Sequence, residues 1–398
     1  MNTHPARPAI PRTVWLLGIV SLLMDVSTEM VQTLLPVYMV AGLGISAVMI
    51  GLIEGAATTI AMVTRLFSGM LSDWFRTRKM LTLLGYGLGA LSKPIFPMAD
   101  TAMAIFGAKF VDRMGKGIRS APRDAMIADV SPPEIRGASF GLRKSLDTIG
   151  GFLGPLIAIG IMMISGDNIR LVFWLAVVPA LAAIVVLAVF VKEPRIVGEP
   201  ASRVARPRLT FADAARLNPA VWGVIVLAMF MSLARFSEAF LLLRANQIGW
   251  SLTWLPLVIV LMHIVYGLTA YPAGRIFDRL GARGLLLAGM ACLIAADMAL
   301  ALANGPSALL AGIVLWGLHM GLTQGVIATL IAQTAPAHLK GTAFGVLNLG
   351  TAIAVLGGNL LAGVLWETAG ASYTFFASAA LAVMACLAIA ALHRQTER

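Results

Sequence analysis

Seven ionisable side chains crowd one apolar stretch: Lys109, Asp112, Arg113, Lys116, Arg119, Arg123 and Asp124. At about 100° per residue, a helix here gathers all seven into an arc of roughly 140°. One face of that helix is charged and the other is apolar. Ionisable groups within a membrane span are costly and usually face a bundle interior or a wet cavity. Lys109, Asp112, Arg113 and Lys116 are therefore expected to line such a cavity. Arg119, Arg123 and Asp124 lie nearer one end, where snorkelling to the headgroups is an equal alternative.

The complementary acids lie upstream. Ser21, Asp25, Thr28, Glu29 and Gln32 share about 100° of a helix face. Two carboxylates one turn apart cannot both ionise cheaply at low dielectric, so one is expected to carry a proton. The same pair also suits a static role as ionised partners of Arg113 and Lys116, and both readings stay open. Arg143, Lys144 and Asp147 follow, with Arg143 and Asp147 four apart on one face. Gln32, Lys109, Asp112, Lys116, Arg143 and Asp147 form the candidate substrate set. Arg235 and Glu238 join them, although an i,i+3 structural pair explains those two equally well. Glu54 and Arg65 share a helix face. His263 and His319 read as packed histidines, and with Cys292 and Asp297 they lack metal-ligand spacing, so neither metal nor other cofactor is expected.

These groups need helices to position them. The chain has 398 residues, 59% hydrophobic and 12% charged, with mean hydropathy +0.87. A soluble domain carries roughly 25% charged residues, so soluble-enzyme readings are set aside. Apolar runs predict helices at 14–40, 46–71, 79–98, 102–125, 137–164 and 170–191, and again at 219–244, 252–275, 283–303, 307–331, 341–365 and 372–392. Each is close to the length of about 20 residues that spans a bilayer. The first run is too long for a signal-peptide core and holds Asp25 and Glu29, so it reads as a retained helix. The polar interval 192–218 links an amino-terminal six-helix bundle, 1–191, to a carboxy-terminal one, 219–398.

The net charge of +11 reports topology rather than a nucleic-acid partner. Arg7 and Arg12, Arg76 to Lys79, Lys192 to Arg216, Arg279 and Arg283, and Arg394 and Arg398 fall in alternate connections. The connections near 41–46, 99–102, 303–308 and 367–372 carry no Lys or Arg. This positive-inside pattern puts both termini in the cytoplasm. Absence of an Asn-x-Ser/Thr sequon suits a bacterial inner membrane. Two cysteines, Cys292 and Cys386, make a disulfide framework improbable.

The halves repeat each other. GMLSDWFRTRK from Gly69 returns as GRIFDRLGARG from Gly274, and IADVSPPEIRGASFG from Ile127 returns as IAQTAPAHLKGTAFG from Ile331. The offsets are 205 and 204. Such repeats imply pseudo-symmetric bundles with a central site and alternating access by rocking. At the 204 offset Arg113, Lys116 and Arg119 correspond to Gly317, Met320 and Thr323, so the charge is asymmetric. Around those positions the tenth helix offers His319, Thr323 and Gln324 as polar groups.

The two loops resemble the signature loops of the major facilitator superfamily, over essentially the whole chain. Gly274, Asp278, Arg279, Gly281 and Arg283 match the second copy. In the first, Gly69, Asp73, Arg78 and Lys79 fit, while Trp74 and Arg76 stand where Arg and Gly are usual. The resemblance implies an all-α membrane protein of 12 transmembrane helices in two six-helix bundles. It also makes Gly69, Asp73, Gly274, Asp278 and Arg279 gating residues, with a purely topological role as the alternative. Arg113-Met114-Gly115-Lys116-Gly117 looks like the family's fourth-helix Arg-x-x-x-Gly signature, in which a buried Arg tunes a nearby acid. Asp25, Glu29 and Arg113 thereby become the proton-coupling candidates. Gly141-x8-Gly150-x3-Gly154-Pro155 is similar to the drug–proton antiporter signature, with Ala158-Ile159 in place of its closing Gly-Gly. A generic packing face explains the glycines alone nearly as well.

The expectation is a monomeric, proton-coupled exporter of a small organic solute, anionic or amphipathic, working in the lipid bilayer. The alternatives are a proton symporter importing an anionic metabolite and a lipid flippase. A metal exporter is disfavoured, because the cationic stripe would repel its cargo.

Overall fold

The computed structural model describes residues 9–75, 78–192, 214–336 and 339–396, with the side chains of 69–75, 133, 271, 274–280, 328 and 391–396 outside the description. Every regular element among the described residues is helical. The long helices are α1 (Arg12–Gln32), α2 (Ala47–Phe75), α3 (Arg78–Ser92), α4 (Ala102–Val130), α5 (Arg136–Ser165) and α6 (Val177–Phe190). They continue as α7 (Pro219–Ala234), α8 (Leu252–Ala270), α9 (Gly281–Ala301), α10 (Pro306–Thr323), α11 (Lys340–Thr368) and α12 (Ala371–Thr396). Among the described residues ten helices are long and apolar enough to cross a membrane. At 15 residues α3 is too short to be one of them, and the charged face of α4 keeps it out on composition. Side chains such as Ile164, Leu268 and Leu387 point outwards, 87%, 71% and 66% exposed. An outer surface this apolar belongs in lipid, so the protein is a multi-pass membrane protein.

Local sequence decides where the helices start and stop. Thr101 Oγ1 accepts from the Ala104 N–H at 3.2 Å, and Asn168 Oδ1 accepts from the Leu171 N–H at 3.0 Å. Asn218 Oδ1 accepts from the Val221 N–H at 2.9 Å, with Pro219 opening α7. Each is an N-cap that satisfies a free donor of the first turn. α1 ends at Gln32 because Pro36 has no N–H to return to that carbonyl, and its ring crowds it. Pro94 ends α3 by the same mechanism. Helical hydrogen bonding runs Pro256–Ala301, but Gly281 at φ 66°, ψ 173° breaks it into α8 and α9. That backbone conformation is open essentially to glycine alone.

The chain packs as two compact units. Unit 1 comprises Met1–Thr33 and Ile60–Val204, and unit 2 comprises Leu34–Thr59 and Ala205–Arg398. The division at 192–218 leaves 34–59 in the first half, yet these residues pack with the second. The Ala47 N–H donates to Glu367 Oε2 at 2.9 Å, and Thr59 Oγ1 donates to the Ala352 carbonyl at 2.9 Å. A Cβ at Gly51 would meet the Asn359 carbonyl at 2.1 Å, and one at Gly363 the Ala47 carbonyl at 2.5 Å. Small residues let the start of α2 lie directly on α11.

Inside the units, the sequence repeat returns as repeated packing. A Cβ at Gly85 would strike Arg119 of α4, and one at Gly289, 204 positions on, would strike Thr323 of α10. Gly117 meets Thr64 as Gly321 meets Thr269, and Gly154 meets α1 at Val26 as Gly358 meets α7 at Leu233. Glycine at a crossing lets two helix backbones come together, which substitutes for the missing hydrophobic drive between helices in lipid. The core of unit 1 joins Val14, Leu17 and Met24 of α1 to Tyr86, Ala180 and Leu187. In unit 2 Val221, Ile225, Ile331, Ala343 and Leu347 serve the same purpose.

Candidate functional site

The charged stripe of α4 faces into unit 1 and is sorted into pairs. Lys109, Asp112, Arg119 and Arg123 are buried, whereas Arg113 and Lys116 are partly exposed. Asp112 Oδ1 accepts from Lys93 Nζ at 2.8 Å, and Lys93 also donates to Thr28 Oγ1 of α1 at 3.2 Å. Arg113 Nε lies 3.9 Å from the other carboxylate oxygen of Asp112. Asp112, expected against substrate, is thus the counter-ion of a fully buried lysine. Lys116 carries the opposite charge to Asp25 and Glu29 and lies within their electrostatic reach.

Arg119 and Arg123 do not snorkel. The Arg119 guanidinium sits 4.6 Å from the Tyr86 ring centre, a cation–π contact, and Nη2 lies 4.0 Å from Asp25 Oδ1. Arg123 Nη1 donates to Ser21 Oγ at 2.9 Å, and Ser21 in turn is hydrogen-bonded to the Tyr86 hydroxyl at 2.9 Å. Both stay inside because α1 and α3 present partners for them there. Asp124 collects three arginines: Arg123 at 3.1 Å, Arg65 at 3.8 Å and Arg143 at 3.8 Å. Arg143 Nη1 donates to Asp147 at 2.7 Å, the pair their spacing implies.

The glycines of α5 sit where the α1 acids are. A Cβ on Gly150 would meet the Leu22 carbonyl at 2.6 Å and Asp25 Cβ at 3.1 Å. One on Gly154 would meet the Val26 carbonyl at 2.7 Å and Glu29 Cβ at 2.8 Å. These two glycines therefore seat α5 on the acid-bearing face of α1, while Gly141 has nothing within 4 Å. Asp147 consequently lies within reach of the Asp25 charge. Gln32 Nε2, Arg119 Nη1, Ser139 Oγ, Arg143 Nε and Asp147 Oδ1 are buried without a hydrogen-bond partner among the described residues. They come from α1, α4 and α5.

Unit 2 is organised differently. Arg235 and Glu238 flank the interruption that follows α7, and they attract each other. Arg244 donates to the carbonyls of Leu300, Ala301 and Ala303 at 3.0, 3.2 and 3.0 Å, closing the end of α9. His319 and His263 bond through Nδ1 to the Gly289 and Ile259 carbonyls at 2.9 and 3.0 Å, as packed histidines do. A cavity of about 340 Å³ is lined by Tyr266, Ala270, Gln324, Gly325 and Thr329 among others, with no charged group among the described residues. Tyr266 donates to Gln324 across its edge at 2.9 Å. The gating candidates Gly69, Asp73, Gly274, Asp278 and Arg279 lie outside the described side chains. Glu54 lies in unit 2 and Arg65 in unit 1.

Sequence reasoning passed over Lys93 and Tyr86. Lys93 is a lone cation in an apolar run, so the rule applied to α4 points to it equally. Tyr86 carried no such signal, since its value comes from the two arginines that fold onto it.

The sequence matches the Major Facilitator Superfamily over residues 17–358 and, in a second overlapping match, 239–398. The chain belongs to that superfamily. It is a transporter and not an enzyme. An uncharacterised transporter of the superfamily from Methanocaldococcus jannaschii is 26% identical over 385 residues, 95% of this chain and 94% of its own. The quinolone resistance protein NorA of Staphylococcus aureus is 23% identical over 225 residues, 56% of each chain. Among solved structures, a nucleoside transporter, NupG, superposes with TM-score 0.82 at 13% identity, covering 96% of this chain and 100% of that one. A peptide-transporter-family (POT) member in complex with 5-aminolevulinic acid gives TM-score 0.79 at 15% identity, covering 98% and 97%. At those identities the superpositions speak for the superfamily fold alone.

Proposed function

We propose that this transporter is a proton-coupled exporter of a small organic solute with an anionic or amphipathic character. It acts as a monomer in a bacterial inner membrane, with both termini cytoplasmic. Twelve helices, the ten apolar spans plus α3 and the charged α4, form bundles 1–191 and 219–398 joined by 192–218. One observation carries this reading: α1, α4 and α5 each hold buried polar atoms without a hydrogen-bond partner, on Gln32, Arg119, Arg143 and Asp147, inside a lipid-facing bundle. A buried polar atom without a partner costs about 1–3 kcal/mol, which a solute or water entering the bundle recovers. Lys109 and Lys116 complete the solute-binding set of unit 1, and Arg235 and Glu238 are the solute-binding candidates of unit 2.

Asp25 is the proton carrier this arrangement favours, with Glu29 one turn away and Arg113 as the nearby fixed charge. Its side chain is 25% exposed and its pair with Arg119 is long, at 4.0 Å. Asp112 and Asp147, by contrast, are held at 2.8 and 2.7 Å. Water reaches Asp25 directly, and a carboxylate in a long ion pair takes up a proton more easily than one held in a tight ion pair. Alternating access then opens and closes the packing of residues 47–59 on α11, where Gly51 and Gly363 leave little side chain to disentangle. The gating loops at Asp73 and Asp278 act with it. Similarity to a quinolone resistance protein supports the outward direction.

The test is substrate-driven proton flux in proteoliposomes for wild type, Asp25→Asn and Glu29→Gln, screened across anionic and amphipathic solutes. Flux abolished in Asp25→Asn with solute exchange retained is the expected result. Undiminished coupling in both variants removes these acids as carriers.

A further inference from the structure

Asp297 of α9 is fully buried and plays no part in the reading above. Its Oδ2 lies 2.5 Å from Ser378 Oγ of α12, and its Oδ1 is buried without a hydrogen-bond partner. Ser378 Oγ also lies 2.7 Å from the Ala234 carbonyl at the end of α7. Counting hydrogens decides the protonation. A hydroxyl has one proton to donate and a carbonyl oxygen only accepts. For both contacts to be hydrogen bonds, the Ser378 proton goes to Ala234. The 2.5 Å contact then needs a proton from the other side, and only a protonated carboxyl supplies one.

The repeat explains why no counter-ion stands there. Asp297 lies 204 positions after Lys93, and Trp316 lies 204 after Asp112. Unit 1 thus places a cation against an acid, whereas unit 2 has an acid and an indole at the same two positions. Among the described side chains of α9, α10, α12 and the segment after α7, the ionisable groups are Arg283, Cys292, His319, Tyr373, Cys386, Arg235, Glu238 and Arg244. His319 is committed to the Gly289 carbonyl and Arg244 to the end of α9. Asp297 makes no ion pair with any of them among the described residues. A lone carboxylate without a cation is expensive at such a position, whereas the neutral acid needs only a hydrogen-bond acceptor.

We propose that Asp297 is a proton-binding site of the second unit, separate from the acids of α1, and that its proton controls the end of α7. With the proton bound, the acid donates to Ser378 and Ser378 donates to Ala234. When the proton leaves to water, the carboxylate takes the Ser378 hydrogen instead and the Ala234 carbonyl loses its donor. Ala234 is the last residue of α7 before the break that carries Arg235 and Glu238, so protonation is linked to the geometry of that break. The role in transport rests on the proton-coupled reading; the protonation itself does not.

Infrared spectroscopy of the full chain in lipid reads the site directly. At neutral pH the protonated-carboxyl stretching band should be present in wild type and lost in Asp297→Asn. In Ser378→Ala, which removes the acceptor, the band should persist but shift. Wild-type and Asp297→Asn spectra that superimpose in this region overturn the site. Loss of the wild-type band when sodium replaces potassium makes a metal cation the ligand and overturns the proton. In proteoliposomes Asp297→Asn should keep solute exchange at equal pH and lose the accumulation that a pH gradient drives. Wild-type accumulation in that variant overturns the role in transport. A band present in a wild-type carrier indifferent to the gradient overturns the coupled reading and leaves the site standing. A missing band with gradient-driven transport intact does the reverse.

Discussion

Removing the carboxylate of Asp112 isolates what the buried pair contributes. Lys93 and Asp112 side chains are 0% and 2% exposed and lie 2.8 Å apart. At that separation and an effective dielectric of about 20, their attraction is about 6 kcal/mol. Desolvating each ion costs several kcal/mol, so the pair as a whole adds little net stability. Deleting one partner is another matter. Asp112→Asn leaves the Lys93 ammonium buried with Thr28 Oγ1 and no counter-charge, a loss of about 3–5 kcal/mol. The double variant Lys93→Met/Asp112→Leu removes both charges while keeping volume, and it should fall within about 1–2 kcal/mol of wild type. Thermal unfolding in detergent, followed by intrinsic fluorescence, distinguishes the cases. The single variant should melt several degrees below the parent, and the double variant close to it. If Asp112→Asn melts with wild type, the pair is not desolvated as the structure has it. If the double variant falls as far as the single, shape rather than charge holds α3 to α4.

Gly154→Ala should cost about 1–3 kcal/mol by overpacking, since its Cβ would meet the Val26 carbonyl at 2.7 Å. Gly160→Ala, with nothing within 4 Å, should be neutral in the same melting assay. Tyr86→Leu should lower stability by about 1–3 kcal/mol, through loss of the Arg119 contact and the bond to Ser21. Tyr86→Phe, which keeps the ring, should lose only the smaller hydrogen-bond share. Arg244→Gln should destabilise by roughly 2 kcal/mol or more because buried carbonyls at the end of α9 lose their donors, and Arg244→Lys should recover only part of that. Unchanged melting of Arg244→Gln would mean that other donors reach those carbonyls.

Helix positions were legible because each depends on a short window. The predicted span 137–164 became Arg136–Ser165, and 341–365 became Lys340–Thr368, since apolar runs and caps act over one or two turns. The i,i+4 pair of Arg143 and Asp147 was legible for the same reason. Breaks within helices were not marked: 14–40 ends its first helix at Gln32 and 219–244 at Ala234. At the first, the proline that causes the break was in view, but hydropathy outweighed it.

The periodicity placed seven charged groups on one face of α4, but their partners come from elsewhere. Lys93 chooses Asp112, Arg119 chooses Tyr86, and Arg123 chooses Ser21 because α3 closes on α4 through Gly85, Gly89 and Gly115 and α1 supplies Ser21 beside them. The repeat of 204 to 205 residues foretold equivalent crossings in the two halves. It did not foretell that equivalent positions would hold a lysine with its counter-ion and an acid without one. By itself the sequence determined the helices, the repeat and the asymmetry of charge, because those are properties of residue type and spacing along one chain. Only the tertiary structure decided which charges are neutralised and which polar atoms remain open. Those outcomes depend on distances of 3–4 Å between residues far apart in sequence, and no local pattern encodes them.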